Sequence, residues 1–144
     1  LSGNASPTRF NVATSAERDA VVALWETCGL TRPWNDAAAD FDLAVASPDA
    51  DIILLRTDGQ IIGSAMVGHD GHRGALYYLA IDPAHQRLGM GRNLMRAVED
   101  WLKARNIAKL NLLVRHENAA VIGFYTALGY ADTQCLSLGK RLDG

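Results

Sequence analysis

The 144-residue chain has few cysteines, few prolines and no excess of either charge: two Cys, four Pro, and 14 Lys and Arg against 16 Asp and Glu, for a net charge of −2. So even a balance leaves no electrostatic footprint of a nucleic-acid binder, and no nucleic-acid partner is expected. Cys28 and Cys135 have no metal-ligand spacing, which points to free thiols rather than to a disulfide framework or a metal site. His69 and His72 share a polar turn with no cluster of Cys or carboxylates to complete a metal centre, so no metal is expected. No apolar run approaches the ~20 residues that span a bilayer, and no membrane partner is expected. Residues 1–8 are polar and lack the apolar stretch of a secretory signal, so the expected location is cytoplasmic and the expected state of residues 1–8 is a loose terminus. There is no internal repeat and no low-complexity linker. Residues 9–144 read as one domain, long enough for a sizeable core, and a homodimer is compatible with the sequence.

What the chain does have is an apolar run, Leu76-Tyr77-Tyr78-Leu79-Ala80-Ile81, with the length and composition of a buried strand. Asp82-Pro83 ends it, because proline cannot donate to a ladder. Gln86-Arg87-Leu88-Gly89-Met90-Gly91 follows, and then an amphipathic helix. Met90, Leu94, Val98 and Trp101/Leu102 share one face of it, while Arg92, Asn93, Arg96, Glu99, Asp100 and Lys103 fall mainly elsewhere. A strand, a glycine-bearing turn and a helix start together suit an anion. The first helical turn has unpaired N–H groups and the positive end of the dipole. Gly89 and Gly91 keep a Cβ out of the path of a phosphate, and Arg87 and Arg92 add positive charge. No Gly-Lys-Ser/Thr follows, so this is not a P-loop. Arg92, Asn93 and Leu94 after Gly91 break the dinucleotide fingerprint. On spacing alone, a plain strand-to-helix turn accounts for the same residues.

Elsewhere the punctuation is local. Arg9 to Ala13 alternates around Phe10 and Val12 as a short strand, and Thr14-x-x-Glu17 is a capping box. The helix it starts carries Ala20, Val21, Leu24, Trp25 and Cys28 as its apolar set and stops at Gly29. Thr31 to Asp36 is a loop, and Ala37 to Ala46 a second helix with Phe41 and Val45 inward. Trp34 in that loop is either a core anchor or a wall of a substrate pocket. Asp58-Gly59 between Ile52-Leu55 and Ile61-Val67 is a hairpin signal, which makes the next three strands an antiparallel meander. Ala108 to Val114 reads as a further strand, parallel to Leu76-Ile81 because a helix connects them. Asn118 caps a helix over Ala119 to Leu128, Gly129 ends it, and Tyr130 and Gln134 to Lys140 supply the last strands.

Two spaced motifs carry a family resemblance. Gln86-x-x-Gly89-x-Gly91 after a strand resembles the acyl-CoA pyrophosphate motif of the GNAT N-acetyltransferases, Q/R-x-x-G-x-G/A. At the distance found in that family, Asn118, Phe124-Tyr125 and Leu128-Gly129-Tyr130 resemble its N…FY…LGF segment. The resemblance covers roughly residues 9–141. Arg32-Pro33-Trp34-Asn35-Asp36, Asp70-Gly71-His72-Arg73-Gly74 and Leu136-Ser137-Leu138-Gly139-Lys140-Arg141 resemble the YpeA-type subgroup of its bacterial members.

The resemblance implies an α/β fold of the GNAT type: a central mixed, twisted sheet of about six to seven strands with about four helices on both faces. It also implies that the strand holding Leu76-Ile81 splays from its parallel neighbour and pairs with pantetheine. The implied reaction is direct transfer of an acetyl group from acetyl-CoA, as co-substrate, to a primary amine of a small molecule or peptide. Acetylation of protein N-termini and a non-catalytic acyl-CoA-binding module are the alternatives. The implied cofactor contacts are backbone groups of Leu79, Ala80 and Ile81, the segment Gln86, Arg87, Leu88, Gly89, Met90, Gly91 and Arg92, and then Asn118, Phe124 and Tyr125. Asn118 is equally suited to be a helix cap. Tyr125 is the implied acid for the departing thiolate; packing beside Phe124 is its other reading. Arg32, Trp34, His72, Tyr77 and Glu117 are candidates for the acceptor side. The chain departs from the family in one respect, since Leu76-Ile81 carries no glutamate to take the proton of the amine. Glu117, Asp70, His72, Tyr77 and Tyr78 are the substitutes, and the sequence does not choose among them.

Overall fold

The computed structural model describes residues 9–86 and 89–144; the expectations for residues 1–8, Arg87 and Leu88 lie outside them. The chain divides into two compact units, Leu1–Asn111 and Leu112–Gly144. The first unit carries β1 (Arg9–Val12), a 3-10 turn (Ser15–Glu17), α1 (Arg18–Thr27), α2 (Ala37–Ala46), β2 (Ala50–Thr57), β3 (Gln60–His69), β4 (Gly74–Ile81), a 3-10 turn (Pro83–His85), α3 (Met90–Lys103) and β5 (Leu110–Asn111). The sheet runs β1-β2-β3-β4-β5. β1 to β4 pair antiparallel, and β4 pairs with β5 in parallel through the α3 crossover, as the sequence implies.

The local chemistry explains where these elements begin. The Thr14 N–H donates to Glu17 Oε1 at 2.9 Å, while the Thr14 side chain accepts in return, so the capping box is formed. Asp36 accepts the Ala39 N–H at 3.0 Å and starts α2. Asp58 and Gly59 take φ of 54° and 76°, the paired left-handed residues of a two-residue hairpin turn.

Both faces of the sheet are covered. Val21, Leu24 and Trp25 of α1 and Phe41 and Ala44 of α2 form one core with Ile52, Leu54 and Ala80. Ile53 and Leu55, on the opposite face of β2, are buried as well. α3 buries Leu94, Met95, Val98, Trp101 and Leu102. Each Val, Leu, Ile, Phe or Met side chain removed from water in this way contributes about 1.5–3 kcal/mol. Ala20, expected in the apolar set of α1, is exposed. Among the described residues no helix is long and apolar enough to cross a membrane.

Among the described residues the sheet has five strands rather than six to seven. β5 is two residues long, not the seven from Ala108 to Val114, and neither Tyr130 nor 134–140 forms a strand. Asp132 Oδ1 accepts the Gln134 N–H at 2.7 Å and Gln134 turns left-handed at φ 58°, which breaks an extended run at its start. Leu136 and Leu138 beyond it remain exposed. A strand needs a ladder partner and a face to bury, and among the described residues this segment has neither.

In the second unit, α4 (Ala119–Ala127) starts at Asn118, whose Oδ1 accepts the Val121 N–H at 3.3 Å. Gly129 ends it at φ 95°.

Candidate active site

α3 begins without a cap. Gly89 occupies the N-cap position at φ 73° and makes no side-chain cap hydrogen bond, and the first turn contains no acidic residue. α2 and α4 have Asp36 and Asn118 for this purpose. The positive end of this 14-residue helix therefore has neither a side-chain cap at Gly89 nor an acidic residue in its own first turn. A Cβ built on Gly89 meets nothing within 4 Å, so the space above the turn is open. Met90 and Gly91 are half-buried and Arg92 is exposed.

The strand that leads to this turn is irregular. Ser64 pairs with Ala80 and Met66 with Tyr77, so Tyr78 and Leu79 both stand opposite Ala65. This is a β-bulge, and Tyr78 within it lies at φ 52°. The other edge of β4 pairs with β5 only at Gly74 and Ala75. From Leu76 to Ile81 that edge has no strand partner among the described residues. Before Ile81, the N–H and C=O groups of alternate residues on this edge can be joined by an extended amide.

At the end of β4, the Ile81 carbonyl accepts from Gln86 Nε2 at 3.0 Å and from the Cys28 thiol at 3.2 Å. The Gln86 side chain is therefore turned back onto the strand. Burial, and then the charge of Asp82, push the Cys28 thiol up. It remains a protonated donor rather than a thiolate nucleophile. Both cysteines are free thiols.

On the α1–α2 side, the Tyr78 hydroxyl donates to Asp40 Oδ2 at 2.6 Å. Its ring stacks on Trp25 with centroids 3.9 Å apart and planes 10° from parallel. Trp25 Nε1–H donates to Ser64 Oγ at 2.8 Å, where both residues are fully buried. Burial, followed by the Asp40 hydrogen bond, raises the Tyr78 phenol above the ordinary tyrosine range, which makes it a proton holder rather than a base. Sequence reasoning misses Asp40, because an Asp in the first turn of a helix reads as an ordinary dipole complement. Arg32 donates to the Gly29 and Thr31 carbonyls at 2.8 Å each, closing the end of α1. Trp34 is 55% exposed, which removes its core-anchor reading, and Tyr77 is 51% exposed.

His72 and Asp70 belong to the turn that precedes Gly74, at the opposite end of β4 from Ile81. Eight residues of strand separate those ends by roughly 23 Å, so His72 is not brought to Leu79–Ile81. Asp70 Oδ1 accepts the Arg73 and His72 N–H groups at 2.8 and 2.9 Å. These donors hold its carboxyl below the usual range, which leaves it a turn anchor and a weak base. Among the described residues no three His, Cys, Asp or Glu converge as a metal site.

In the second unit, Glu117 is exposed and the Asn118 side chain serves as the cap of α4. Tyr125 is the buried residue of that helix. Its ring meets Phe124 and Tyr130 edge-on, with centroids 5.1 and 5.7 Å away. Burial pushes its phenol up to about 12.

A family model described as the acetyltransferase (GNAT) family matches residues 12–130. An acetyltransferase of Pectobacterium atrosepticum is 44% identical over 125 residues, covering 86% of this chain and 88% of the relative. One of Yersinia enterocolitica is 40% identical over 133 residues, covering 92% and 94%. Among solved structures, an aminoglycoside N-acetyltransferase in complex with CoA matches with a TM-score of 0.83 at 16% identity, covering 99% of each chain; that likeness is one of fold. The ribosomal-protein alanine N-acetyltransferase of Escherichia coli matches at 0.74 with 26% identity, covering 85% of this chain and 77% of that one.

Proposed function

The chain belongs to the GNAT acetyltransferase family and is an acetyltransferase; from that premise we propose that it moves the acetyl group of acetyl-CoA directly to a primary amine of a small molecule or peptide. The observation that carries this reading is the free edge of β4, Leu76 to Ile81, leading to the uncapped start of α3 at Gly89. Both features fit CoA, whose pantetheine amides need a strand edge and whose pyrophosphate needs N–H donors. The matching CoA-bound fold supports the same ligand. We read residues 9–144 as one acetyltransferase domain, in keeping with a family match that spans both compact units.

Acetyl-CoA would supply an activated acyl group with a thiolate as its leaving group. The backbone of Gly89 to Arg92 holds the pyrophosphate, with the positive end of α3 behind it. The β4 edge fixes the acyl arm in place. Of the backbone groups of Leu79, Ala80 and Ile81, Ala80 is taken up by its ladder pairing with Ser64, and the Leu79 N–H in the bulge is the donor for the oxygen that gains charge during transfer. Positioning and oriented donors of this kind supply most of the rate enhancement. Tyr125 donates a proton to the departing sulfur. A phenol raised to about 12 is protonated at every physiological pH, as an acid must be. A free alkylamine, with a pKa of about 10.4, arrives mostly charged and must lose its proton. Of the groups that could accept it, Asp70 and His72 stand at the far end of β4 and Tyr78 holds its own proton tightly. Glu117 and water beside Tyr77 are left as the route.

Acetylation of a protein N-terminus is the second reading. The identity of 26% to the Escherichia coli enzyme favours it, as does the exposure of Trp34 and Tyr77, which suits an open groove better than a closed pocket. A panel of polyamines, aminoglycosides and short peptides, assayed by release of CoA thiol from acetyl-CoA, separates the two. Turnover with one class is the expected result. Neither turnover nor calorimetric binding at millimolar acetyl-CoA would overturn both.

A further inference from the structure

We propose that Asp40 is a positioning residue of acetyl transfer, acting through the Tyr78 phenol to hold the β4 bulge in the conformation that aims the Leu79 N–H. The inference rests on the acetyl-CoA reading of β4 given above.

Tyr78 sits at φ 52°, a left-handed conformation that bulky L-residues rarely adopt. A residue held there is held by its surroundings. Two contacts of its side chain do so. The hydroxyl donates to Asp40 at 2.6 Å, and the ring lies flat on Trp25. Trp25 is locked in turn by its hydrogen bond to Ser64 and by the ring of Phe41, 6.2 Å away. Ser64 is the ladder partner of Ala80. The contacts therefore form a closed loop: out from β4 at Tyr78, across to Trp25, down to Ser64 on β3, and back to β4 at Ala80. The loop encloses the Tyr78–Leu79 peptide.

Within this loop the Trp25 and Ser64 side chains are fully buried and fix one side of Tyr78. Asp40 fixes the other. The Tyr78 dihedrals orient the peptide that follows, whose N–H belongs to Leu79. Removing the hydrogen bond to Asp40 frees the phenol, lets Tyr78 relax toward negative φ, and turns the Leu79 N–H away from the acyl oxygen. The α3 start, which carries the pyrophosphate contacts, is untouched. Asp40 thus bears on the chemical step and not on cofactor affinity.

The variants are Asp40→Ala, Asp40→Asn and Tyr78→Phe, with acetyl-CoA isotope-labelled at the acetyl carbonyl as the probe. Infrared difference spectroscopy reads how strongly the bound carbonyl is polarised. Calorimetry reads Kd, and steady-state assays with the best amine of the panel read kcat and KM. Asp40→Ala and Tyr78→Phe should lose most of the shift to lower carbonyl frequency, and kcat should fall about tenfold while Kd stays within about twofold. Asp40→Asn, which still accepts from the phenol, should keep both the shift and kcat. The double variant Asp40→Ala/Tyr78→Phe should be no worse than either single one, because both break the same link. Tyr78→Phe removes one oxygen only, and so serves if Asp40→Ala does not fold. Wild-type carbonyl frequency and kcat in the folded Tyr78→Phe variant would overturn the inference, as would a loss confined to Kd or to melting temperature. A wild-type protein that does not bind acetyl-CoA at all would instead overturn the reading of the site beneath it.

Discussion

Gly74 and Ala80 lie on one strand, an even number of positions apart, yet they face opposite helical layers. A Cβ built on Gly74 falls 2.6 Å from Leu102 Cδ1 of α3. Ala80 packs with Trp25 and Phe41 of α1 and α2. Side chains alternate along a regular strand, so these two positions should share a face. The extra residue in the bulge at Tyr78 and Leu79 switches it. The first half of β4 is thereby tied to α3 and the second half to α1 and α2.

Gly74→Ala tests the α3 side of this arrangement. The new methyl would collide with Leu102, which is almost fully buried and has little room to yield. Overpacking of this kind costs about 1–3 kcal/mol. Urea denaturation should show that loss, and Leu102→Ala in the same chain should relieve part of it, so that the two changes cost less than their sum. Full additivity would mean that the clash is absorbed elsewhere.

Ser64→Ala tests the other side. It leaves the Trp25 Nε1–H without its acceptor in a fully buried position. An orphaned buried donor costs about 1–3 kcal/mol. The midpoint of denaturation should fall with its slope unchanged, and an unchanged midpoint would show that the indole finds another acceptor.

These tests concern contacts that the sequence does not announce, and the division has a physical basis. The Thr14–Glu17 box, the Asp58-Gly59 turn and the Asp36 and Asn118 caps are legible because each depends on residues within three positions of one another. The Gly89-x-Gly91 turn is legible for the same reason. The bulge is not. Tyr77 and Tyr78 are identical side chains in an apolar run, and what separates them is Asp40 and Trp25, brought in from α2 and α1 by the tertiary fold. The reverse failure occurs at 134–140, where Leu136 and Leu138 alternate as a strand should while Asp132 and Gln134 form a turn that interrupts it. For the acceptor side, the sequence names residue types suited to the chemistry but not their positions along β4: His72 lies in the turn before Gly74, at the other end of the strand from Ile81.

Gly89→Val should abolish most CoA binding while leaving the fold in place. The position has φ 73°, which a β-branched residue tolerates poorly, at about 1–3 kcal/mol. The side chain would also project into the open space above the turn, where the phosphate is proposed to lie. Calorimetric titration with CoA checks this, with circular dichroism as the control for folding. Unchanged affinity in a folded variant would move the phosphate site elsewhere.

Stability should depend on alkaline pH through the tyrosines. Burial raises Tyr125 from an ordinary ~10 to about 12, and Tyr78 is raised as well. A folded pKa above the unfolded one gives stability that is complete below pH ~10 and is lost as pH rises through the folded value. The melting temperature should therefore fall between pH ~10 and ~12, and Tyr125→Phe should fall less steeply than the wild type across that window. An identical slope would assign the loss to other groups.

Tyr125→Phe also tests the proposed mechanism most directly. The ring is retained, so the edge-on contacts with Phe124 and Tyr130 should persist, and the hydroxyl alone is lost. General acid catalysis typically contributes ~10²–10⁴-fold. A thiolate leaves fairly readily without help, which places the expected loss in kcat at about 10²-fold or below. If the phenol acts only in the transition state, kcat falls while acetyl-CoA affinity holds. The pH profile adds a second criterion. An acid raised to about 12 stays protonated through neutral and moderately basic pH, so Tyr125 should not produce a basic limb below pH ~10, and removing it should lower the whole profile without moving its edges. Weakened acetyl-CoA binding with kcat intact would make the hydroxyl a ground-state contact instead. Wild-type kcat and affinity together would leave Tyr125 with no chemical task, as an aromatic of α4 that packs between Phe124 and Tyr130.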